Sequence, residues 1–399
     1  MATFSRRTFL TGVGSSLLGF GLVKKATASL RPMLAQAEKP SEVHIKKKNP
    51  LGKTGLMVSD VSCGAGRPAG ENVLQYAYDC GVNYFDISEM YQTGKSETLV
   101  GNAFKDVRDK VIITTKHMVF GLGANATTPI KKEAIIEKVE GSLKRLQTDY
   151  IDVSMIHGLS DLSLINDDIR ETYAQLKKQG KIRFTGVSTH EPSKTLEQAL
   201  TNDFAEVILM VYSHLEKFKA VESLIKQTHD KGVGLVAMKV AAGKKEGGLE
   251  SFINKQVNYR QAAIRWVLNN PNISNCITSM NNLTDVEECV ATSGMPPEKS
   301  DIALINEYQR LASHQFCRVS CSACLSACPS NVAVNEVLRY AMYFEDYKNE
   351  KEAMRYYAEL ENGYKPLNCL GCSAPCESAC PFRLSVKAKL LKAHEMLTV

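Results

Sequence analysis

Val82-Asn83-Tyr84-Phe85-Asp86-Ile87-Ser88-Glu89-Met90-Tyr91 is a short apolar run that ends in an acid and then, five residues on, in a tyrosine. Val82 to Phe85 has the branched and aromatic content of a buried strand, with helical segments on both sides. Asp86 then falls at the strand's carboxyl end and Tyr91 in the loop beyond. Two later strands each end in one more polar group: Val111-Ile-Ile-Thr-Thr-Lys116 and Tyr150-Ile-Asp-Val-Ser-Met-Ile-His157. An acid, a phenol, an amine and an imidazole therefore arrive from consecutive strand ends. In a β/α barrel that edge is where catalytic groups sit.

From Leu51 to about Thr292 the chain alternates strand and helix through eight units. The predicted strands are Val58 to Gly64, Val82 to Asp86, Val111 to Lys116, Tyr150 to His157, Ile182 to Ser188, Val207 to Tyr212, Gly234 to Lys239 and Asn275 to Thr278. Eight alternations predict a closed (β/α)8 TIM barrel. The competing fold, an open doubly wound sheet, usually carries G-x-G-x-x-G after its first strand, and Gly64-Ala-Gly66-Arg-Pro-Ala69 lacks the helix-opening register. The 399 residues, 44% hydrophobic, leave room for a small extra domain after the barrel.

The formal net charge is +6, but Arg6, Arg7, Lys24, Lys25 and Arg31 lie in a leading segment with no acid; without them 44 basic residues face 43 acidic ones. A near-neutral chain argues against a nucleic-acid partner, which needs a clustered basic face. Ser5-Arg6-Arg7-Thr8-Phe9-Leu10 resembles the twin-arginine motif. The weakly apolar Thr11 to Val23 follows it, with small-x-small sites at Ala26-Thr-Ala28 and Ala35-Gln-Ala37. That resemblance implies a signal over residues 1–37, the twin-arginine machinery as a partner, and export to the periplasm or to the outer face of the cytoplasmic membrane. A basic tail with a hydrophobic anchor is the alternative.

Phe85-Asp86-x-x-x-x-Tyr91 with Gly94-Lys-Ser-Glu97, then Lys116, His157 and Gly186-Val-Ser-Thr189, resembles the aldo/keto reductases over residues 44–298. The family implies a nicotinamide-dependent interconversion of a small-molecule carbonyl and an alcohol. Carried over by motif, Tyr91 is the general acid, Lys116 and Asp86 its tuning pair, and His157 the group that orients the carbonyl. The chemistry is coherent. A free tyrosine titrates near 10, so proton donation at neutral pH is helped by a cation that stabilises the phenolate. Asp86 would keep the buried lysine charged, and His157 can donate where negative charge grows. The structural alternative is an Asp86–Lys116 ion pair with an ordinary tyrosine and histidine nearby.

For the cofactor, NADP or NAD, the resemblance implies Ser188 near the nicotinamide carboxamide, with Thr189 where an Asn is common. It implies Tyr212 as the aromatic on which the ring stacks, Ser279 and Asn281 in the phosphate segment, and Glu288 near the adenine. No arginine lies between Ser279 and Cys289 to grip a 2'-phosphate.

Of 12 cysteines, Cys63, Cys80, Cys276 and Cys289 scatter through the barrel, as small buried thiols do. The other eight form two runs, Cys317, Cys321, Cys324, Cys328-Pro329 and Cys369, Cys372, Cys376, Cys380-Pro381. These resemble the two-cluster ferredoxins, which implies two [4Fe-4S] clusters, the last cysteine of each run serving the other cluster. Each run departs from the usual spacing by one residue. Zinc fits two such packed runs poorly, and export after cofactor loading answers the expectation of disulfides. A connecting helix over 299–315 would lead to a mainly helical, ferredoxin-like iron–sulfur domain over 316–399. At about 1.5 Å per residue, Ser300 to His314 is long enough to bring that domain beside the strand ends carrying Tyr91.

The sequence thus predicts an exported carbonyl–alcohol oxidoreductase accompanied by iron–sulfur electron transfer, with a possible redox partner protein. The alternatives are an electron-transfer subunit whose barrel docks a partner, and a non-redox sugar lyase or isomerase on the same scaffold.

Overall fold

The structure, a computed structural model, describes residues 43–66, 70–121, 127–215, 219–241, 258–312 and 314–398. The leading segment with the twin-arginine motif lies outside them.

A small antiparallel hairpin, β1 (Lys48–Pro50) with β2 (Met57–Ser59), precedes the barrel. The barrel strands are β3 (Val61–Gly64), β4 (Tyr84–Asp86), β5 (Ile112–His117), β6 (Ile151–Ile156), β7 (Ile182–Thr189), β8 (Val207–Val211), β9 (Gly234–Met238) and β10 (Asn275–Ser279). All neighbours are parallel, and β10 closes on β3 through Cys276↔Val61 to Ser279↔Gly64. The expected eight-stranded closed barrel is present. Helices α1 (Glu71–Asp79), α2 (Lys95–Phe104), α3 (Lys132–Leu146), α4 (Asp167–Lys178), α5 (Pro192–Ala199), α6 (Lys219–Lys231), α7 (Tyr259–Leu268) and α8 (Leu283–Val290) follow successive strands. Strands such as Val207–Val211 are buried along their whole length, as covering on both faces requires. Gly186 on β7 is a close-approach position: a Cβ there would lie 2.6 Å from the Val207 carbonyl oxygen.

Val58 to Gly64 is not one strand. The chain breaks at Asp60, so Val58 pairs in the hairpin and only Val61 onward joins the barrel. The cause is the buried Asp60 carboxylate, which accepts from the Val61 N–H (2.9 Å), the Ser293 hydroxyl (2.6 Å) and the Gly294 N–H (2.7 Å).

After the barrel, α9 (Lys299–Ala312) runs along α7, with Tyr308 stacked on Tyr259 (3.9 Å between centroids) and Arg265 paired with buried Asp301 (3.0 Å). The remaining helices are α10 (Val334–Glu345), α11 (Glu350–Glu359), the single turn α12 (Pro375–Ser378) and α13 (Val386–Leu397). Val334, Val337, Ala353, Tyr357, Val386 and Leu390 form their own apolar core together with Cys324, Cys369 and Cys376 of the two cysteine runs. Met342 on α10 belongs instead to the barrel's core. This helical unit lies over the face where the strands end. Lys239, just past β9, donates to Tyr343 of α10, and Arg355 of α11 donates to the carbonyl of Met90, past β4. Among the described residues no helix is long and apolar enough to cross a membrane.

Candidate active site at the barrel mouth

Asp86 ends β4 opposite Thr114 of β5, and Lys116, two residues further along β5, reaches back to it at the rim. The Lys116 Nζ donates to Asp86 Oδ1 and to the Ile87 carbonyl, both at 2.6 Å, and both side chains are 2% exposed. Burial disfavours both charges, pushing the carboxyl up and the ammonium down, and each partner pulls the other back. Asp86 Oδ2 is buried without a hydrogen-bond partner among the described residues.

Tyr91 is placed by an unusual loop. Gln92, Thr93 and Gly94 all take positive φ (52°, 56° and 84°), and the Tyr91 ring packs on Gly66, past β3. Its hydroxyl makes no hydrogen bond among the described residues. Lys116 meets the ring face instead, 5.0 Å from the centroid. The expected ammonium-to-phenol tuning contact is therefore not made in this structure, because the lysine is spent on Asp86 and Ile87. Burial first, then the charges of Asp86, Tyr356, Tyr343 and Glu352, hold the Tyr91 phenol well above its ordinary range.

His157, past β6, stands edge-on to Tyr91 with centroids 6.0 Å apart. Its Nδ1 lies 3.0 Å from the Ser88 hydroxyl, whose one proton serves either that nitrogen or the Lys116 carbonyl at 3.1 Å; when it goes to Nδ1, the ring proton sits on Nε2. Burial, then Lys116, His117 and Lys239, pushes His157 down to about 3, so it is neutral at physiological pH. A neutral imidazole can orient a carbonyl by hydrogen bonding but adds no positive charge. The four residues predicted from strand ends thus share one rim. Glu97 of the same motif is structural: it accepts from Thr115 and Arg145, each at 2.6 Å, tying α2 to β5 and α3.

The positions expected to hold nicotinamide separate. Ser188 lies beside His157, accepting from the Gly158 N–H at 2.9 Å with its own O–H left to donate. Thr189 does not line the mouth; it is fully buried and used by Glu191, Thr195 and Ser160. Tyr212 is corrected too. Its ring packs on Trp266 of α7 and its hydroxyl is bonded to Glu222 (2.8 Å) and Asn270 (3.0 Å), so it faces the outer helices rather than a cofactor ring. Ser279 ends β10 and Asn281 follows before α8, both exposed, and the Asp285 carboxylate takes the Asn281 N–H (3.0 Å). Glu288 pairs with Arg260 (3.2 Å), an arginine that α7 delivers from outside the segment where sequence spacing looks for one.

The roof was not legible. Tyr343 of α10 accepts from Lys239 at 2.8 Å, and Glu352 of α11 accepts from the Gln92 N–H at 3.4 Å. Arg339, buried and paired with Glu336 (2.9 Å), lies one turn before Tyr343. Lys239 could have been found, since it is a polar residue ending a predicted strand, the signal that identified Asp86, Lys116 and His157. Nothing local marks the residues of α10 and α11.

In the helical unit, Cys328, Cys369, Cys372 and Cys376 line one pocket. The Val332 and Ala374 N–H groups lie 3.4 Å from the sulfurs of Cys328 and Cys372. Cys321, Cys376 and Cys380 are the thiol neighbours that, after burial, push Cys324 up to about 11. Among the described residues no group of three or more His, Cys, Asp or Glu is arranged to hold a metal ion.

Comparison with known proteins bears on the barrel. Residues 67–248 match the model of the aldo/keto reductase family. A putative voltage-gated potassium channel beta subunit from Schizosaccharomyces pombe is 37% identical over 163 residues, 36% of this chain and 47% of that one. The uncharacterized oxidoreductase YqkF of Bacillus subtilis is 32% identical over 174 residues, 41% of this chain and 55% of that one. The chain spans about half the length of these two relatives. Among solved structures, an aldo-keto reductase from Bacillus halodurans in its holo form superposes with a TM-score of 0.54 at 24% identity, covering 66% of this chain and 96% of that one. One from Klebsiella pneumoniae in complex with NADPH gives 0.54 at 22% identity, covering 66% and 95%. Residues 67–248 are thus similar to the aldo/keto reductase family, and the solved structures share the barrel fold.

Proposed function

We propose that the protein is an oxidoreductase of the aldo/keto reductase type that interconverts a small-molecule carbonyl and an alcohol with NADP(H), and that its helical unit carries two [4Fe-4S] clusters. The observation that carries the first part is the buried Lys116–Asp86 pair beneath Tyr91 and His157, with both aromatic rings lining the same half-buried mouth. A charged pair this deep costs several kcal/mol of desolvation per ion, a cost more often met at a reacting centre than in a plain barrel rim. Tyr91 donates its hydroxyl hydrogen bond to the carbonyl oxygen, neutral His157 orients that oxygen, and the Lys116 ammonium places positive charge beneath both.

Ser188 fits a carboxamide at the mouth. The exposed Ser279 and Asn281 before α8 fit phosphates, with Arg260 and Glu288 at the adenosine end. When bound there, the dinucleotide supplies the hydride. Thr189 and Tyr212 take no part. A Klebsiella pneumoniae protein of this fold in complex with NADPH supports NADP as the form used.

For the clusters, the pocket of Cys328 with Cys369, Cys372 and Cys376 takes the last thiol of one run with the first three of the other, the crossing that two-cluster ferredoxins use. Cys317, Cys321, Cys324 and Cys380 form the second set. A cube would take its four thiolates on four different irons, which spaces them wider than the ligands of one ion; the Val332 and Ala374 N–H groups that donate to the sulfurs of Cys328 and Cys372 suit anionic thiolates. When bound, such clusters supply or accept single electrons. Export through residues 1–37 belongs to the same proposal, since loading before transport protects the thiols, and a redox partner protein would exchange those electrons. Replacing Arg6 and Arg7 by Lys should retain the protein inside the cell.

Anaerobic purification tests the proposal. Iron and acid-labile sulfide should reach about eight per chain, as two cubes require. Carbonyl-dependent NADPH oxidation should fall about 10²–10³-fold in Tyr91→Phe. Iron-free protein with an unaltered barrel sinks the cluster assignment, and an unchanged Tyr91→Phe rate sinks the catalytic one.

A further inference from the structure

Helix α11 has two working faces. Ala353, Tyr357 and Leu360 recur at helical spacing and pack into the helical unit's own core, together with Cys369 and Cys376. Glu352 and Arg355, three positions apart, fall on the other side and reach the loop that carries Tyr91. The Arg355 guanidinium donates to the Met90 carbonyl at 3.3 Å, and the Glu352 carboxylate accepts from the Gln92 N–H at 3.4 Å. These are the two peptide groups on either side of Tyr91. One helix outside the barrel thus holds the backbone immediately before and immediately after the phenol.

That loop needs holding. Gln92 and Thr93 both take left-handed φ (52° and 56°), which is unfavourable for any side chain and most so for a β-branched one. Such a backbone persists only where its surroundings over-determine it. Within the loop, the Tyr91 N–H bonds the Ser88 carbonyl (3.0 Å) and the Thr93 N–H bonds the Met90 carbonyl (3.3 Å). On the barrel side, the Gln92 side chain donates to the Gly66 carbonyl at 3.3 Å, and Arg145 leaves no room for a side chain at Gly94. Helix α11 supplies the remaining side. Its carboxylate is itself aimed, since Glu352 also accepts from the Asn349 side chain (2.9 Å) and the Tyr356 hydroxyl (3.1 Å).

We propose that Glu352 and Arg355 are positioning residues for the reaction, and that α11 clamps the Tyr91 loop so that the phenol keeps one orientation toward the carbonyl oxygen. This rests on the carbonyl reaction proposed above, with Tyr91 as the donor. The link is mechanical. No electron need pass between helical unit and barrel for the first to govern the second, because α11 is fixed on one face by the core around Cys369 and Cys376 and grips the Tyr91 loop with the other. Glu352 and Tyr356 are also among the groups that hold the Tyr91 phenol up, which places α11 within electrostatic reach of that hydroxyl.

The test uses the full-length holoenzyme. A misplacement of about 1 Å at a reacting group costs about 10²-fold in rate, so Glu352→Ala combined with Arg355→Ala should lower kcat for carbonyl reduction by about that factor, with KM changed less than about threefold. Glu352→Gln keeps an acceptor for the Gln92 N–H and should stay within about threefold of wild type. Arg355→Ala alone, at a partly exposed position, should lose about tenfold and decides the matter should the double variant fold poorly. A kcat within about threefold of wild type in the folded double variant or in Arg355→Ala, or equal losses in Glu352→Gln and Glu352→Ala, overturns the clamp. Fluorine NMR of 3-fluorotyrosine placed at position 91 reads the ring without any substrate. One narrow resonance in the wild type that broadens or splits in Arg355→Ala supports the clamp even if no carbonyl is turned over, whereas a resonance equally narrow in both refutes it.

Discussion

Two lysines end strands at one rim and are used in opposite ways. Lys116 is sealed inside the barrel, neutralised by Asp86 and bonded to Ile87, so its charge is fixed before any ligand arrives. Lys239 is half-buried at the junction, without an acidic partner among the described residues, and its bond goes to a phenol from another part of the chain. The difference teaches that one lysine belongs to the scaffold's electrostatics and the other to an assembled, exchangeable contact.

That comparison breaks most visibly in stability. Lys116→Met leaves a buried carboxylate unpaired and should cost about 3–5 kcal/mol, whereas Lys239→Met should cost no more than about 1 kcal/mol. Denaturant midpoints of the two variants check both, and equal losses would erase the distinction between the lysines.

Acid sharpens the same contrast, because the barrel buries neutral imidazoles, His157 at the rim and His214 against α7 and α9. Burial and nearby cations push His157 and His214 down to about 3. The unfolded chain binds those protons near 6.5, so folded stability is complete above about 6.5 and is lost progressively as pH falls toward 3. Unfolding midpoints across that window should fall with pH, and less steeply in His214→Phe. A midpoint flat from 6.5 to 4 would contradict the buried neutral state.

The smallest effect is expected at the edge of the junction. Arg355 is partly exposed, bonds the Met90 carbonyl at 3.3 Å and pairs with Glu359 at 3.1 Å, so Arg355→Gln should cost at most about 0.5 kcal/mol globally. It should still quicken limited proteolysis between barrel and helical unit. A global loss as large as that of Lys116→Met would show that the junction, not the barrel core, sets stability.

The barrel was legible because its strands are apolar runs that end in single polar groups, which is how Asp86, Lys116 and His157 declared themselves. What failed was parity. Val207–Val211 is buried on both faces, so no period-two alternation tells whether the next residue points inward, and Tyr212 turns out to serve the helix layer. The break at Asp60 was hidden for a related reason, since its carboxylate is held by Ser293 and Gly294, more than 230 positions away. Tyr343 and Glu352 had no local signature at all, because tertiary packing alone brings them to Lys239 and Gln92.

The Lys239–Tyr343 bond joins residues 104 positions apart. A ribosome that has finished all eight strands has therefore not yet finished the mouth. The phenol over its opening arrives only with a later segment, and so does Met342 of the same helix, which belongs to the barrel's core, so chains cut short after the last strand would lack both.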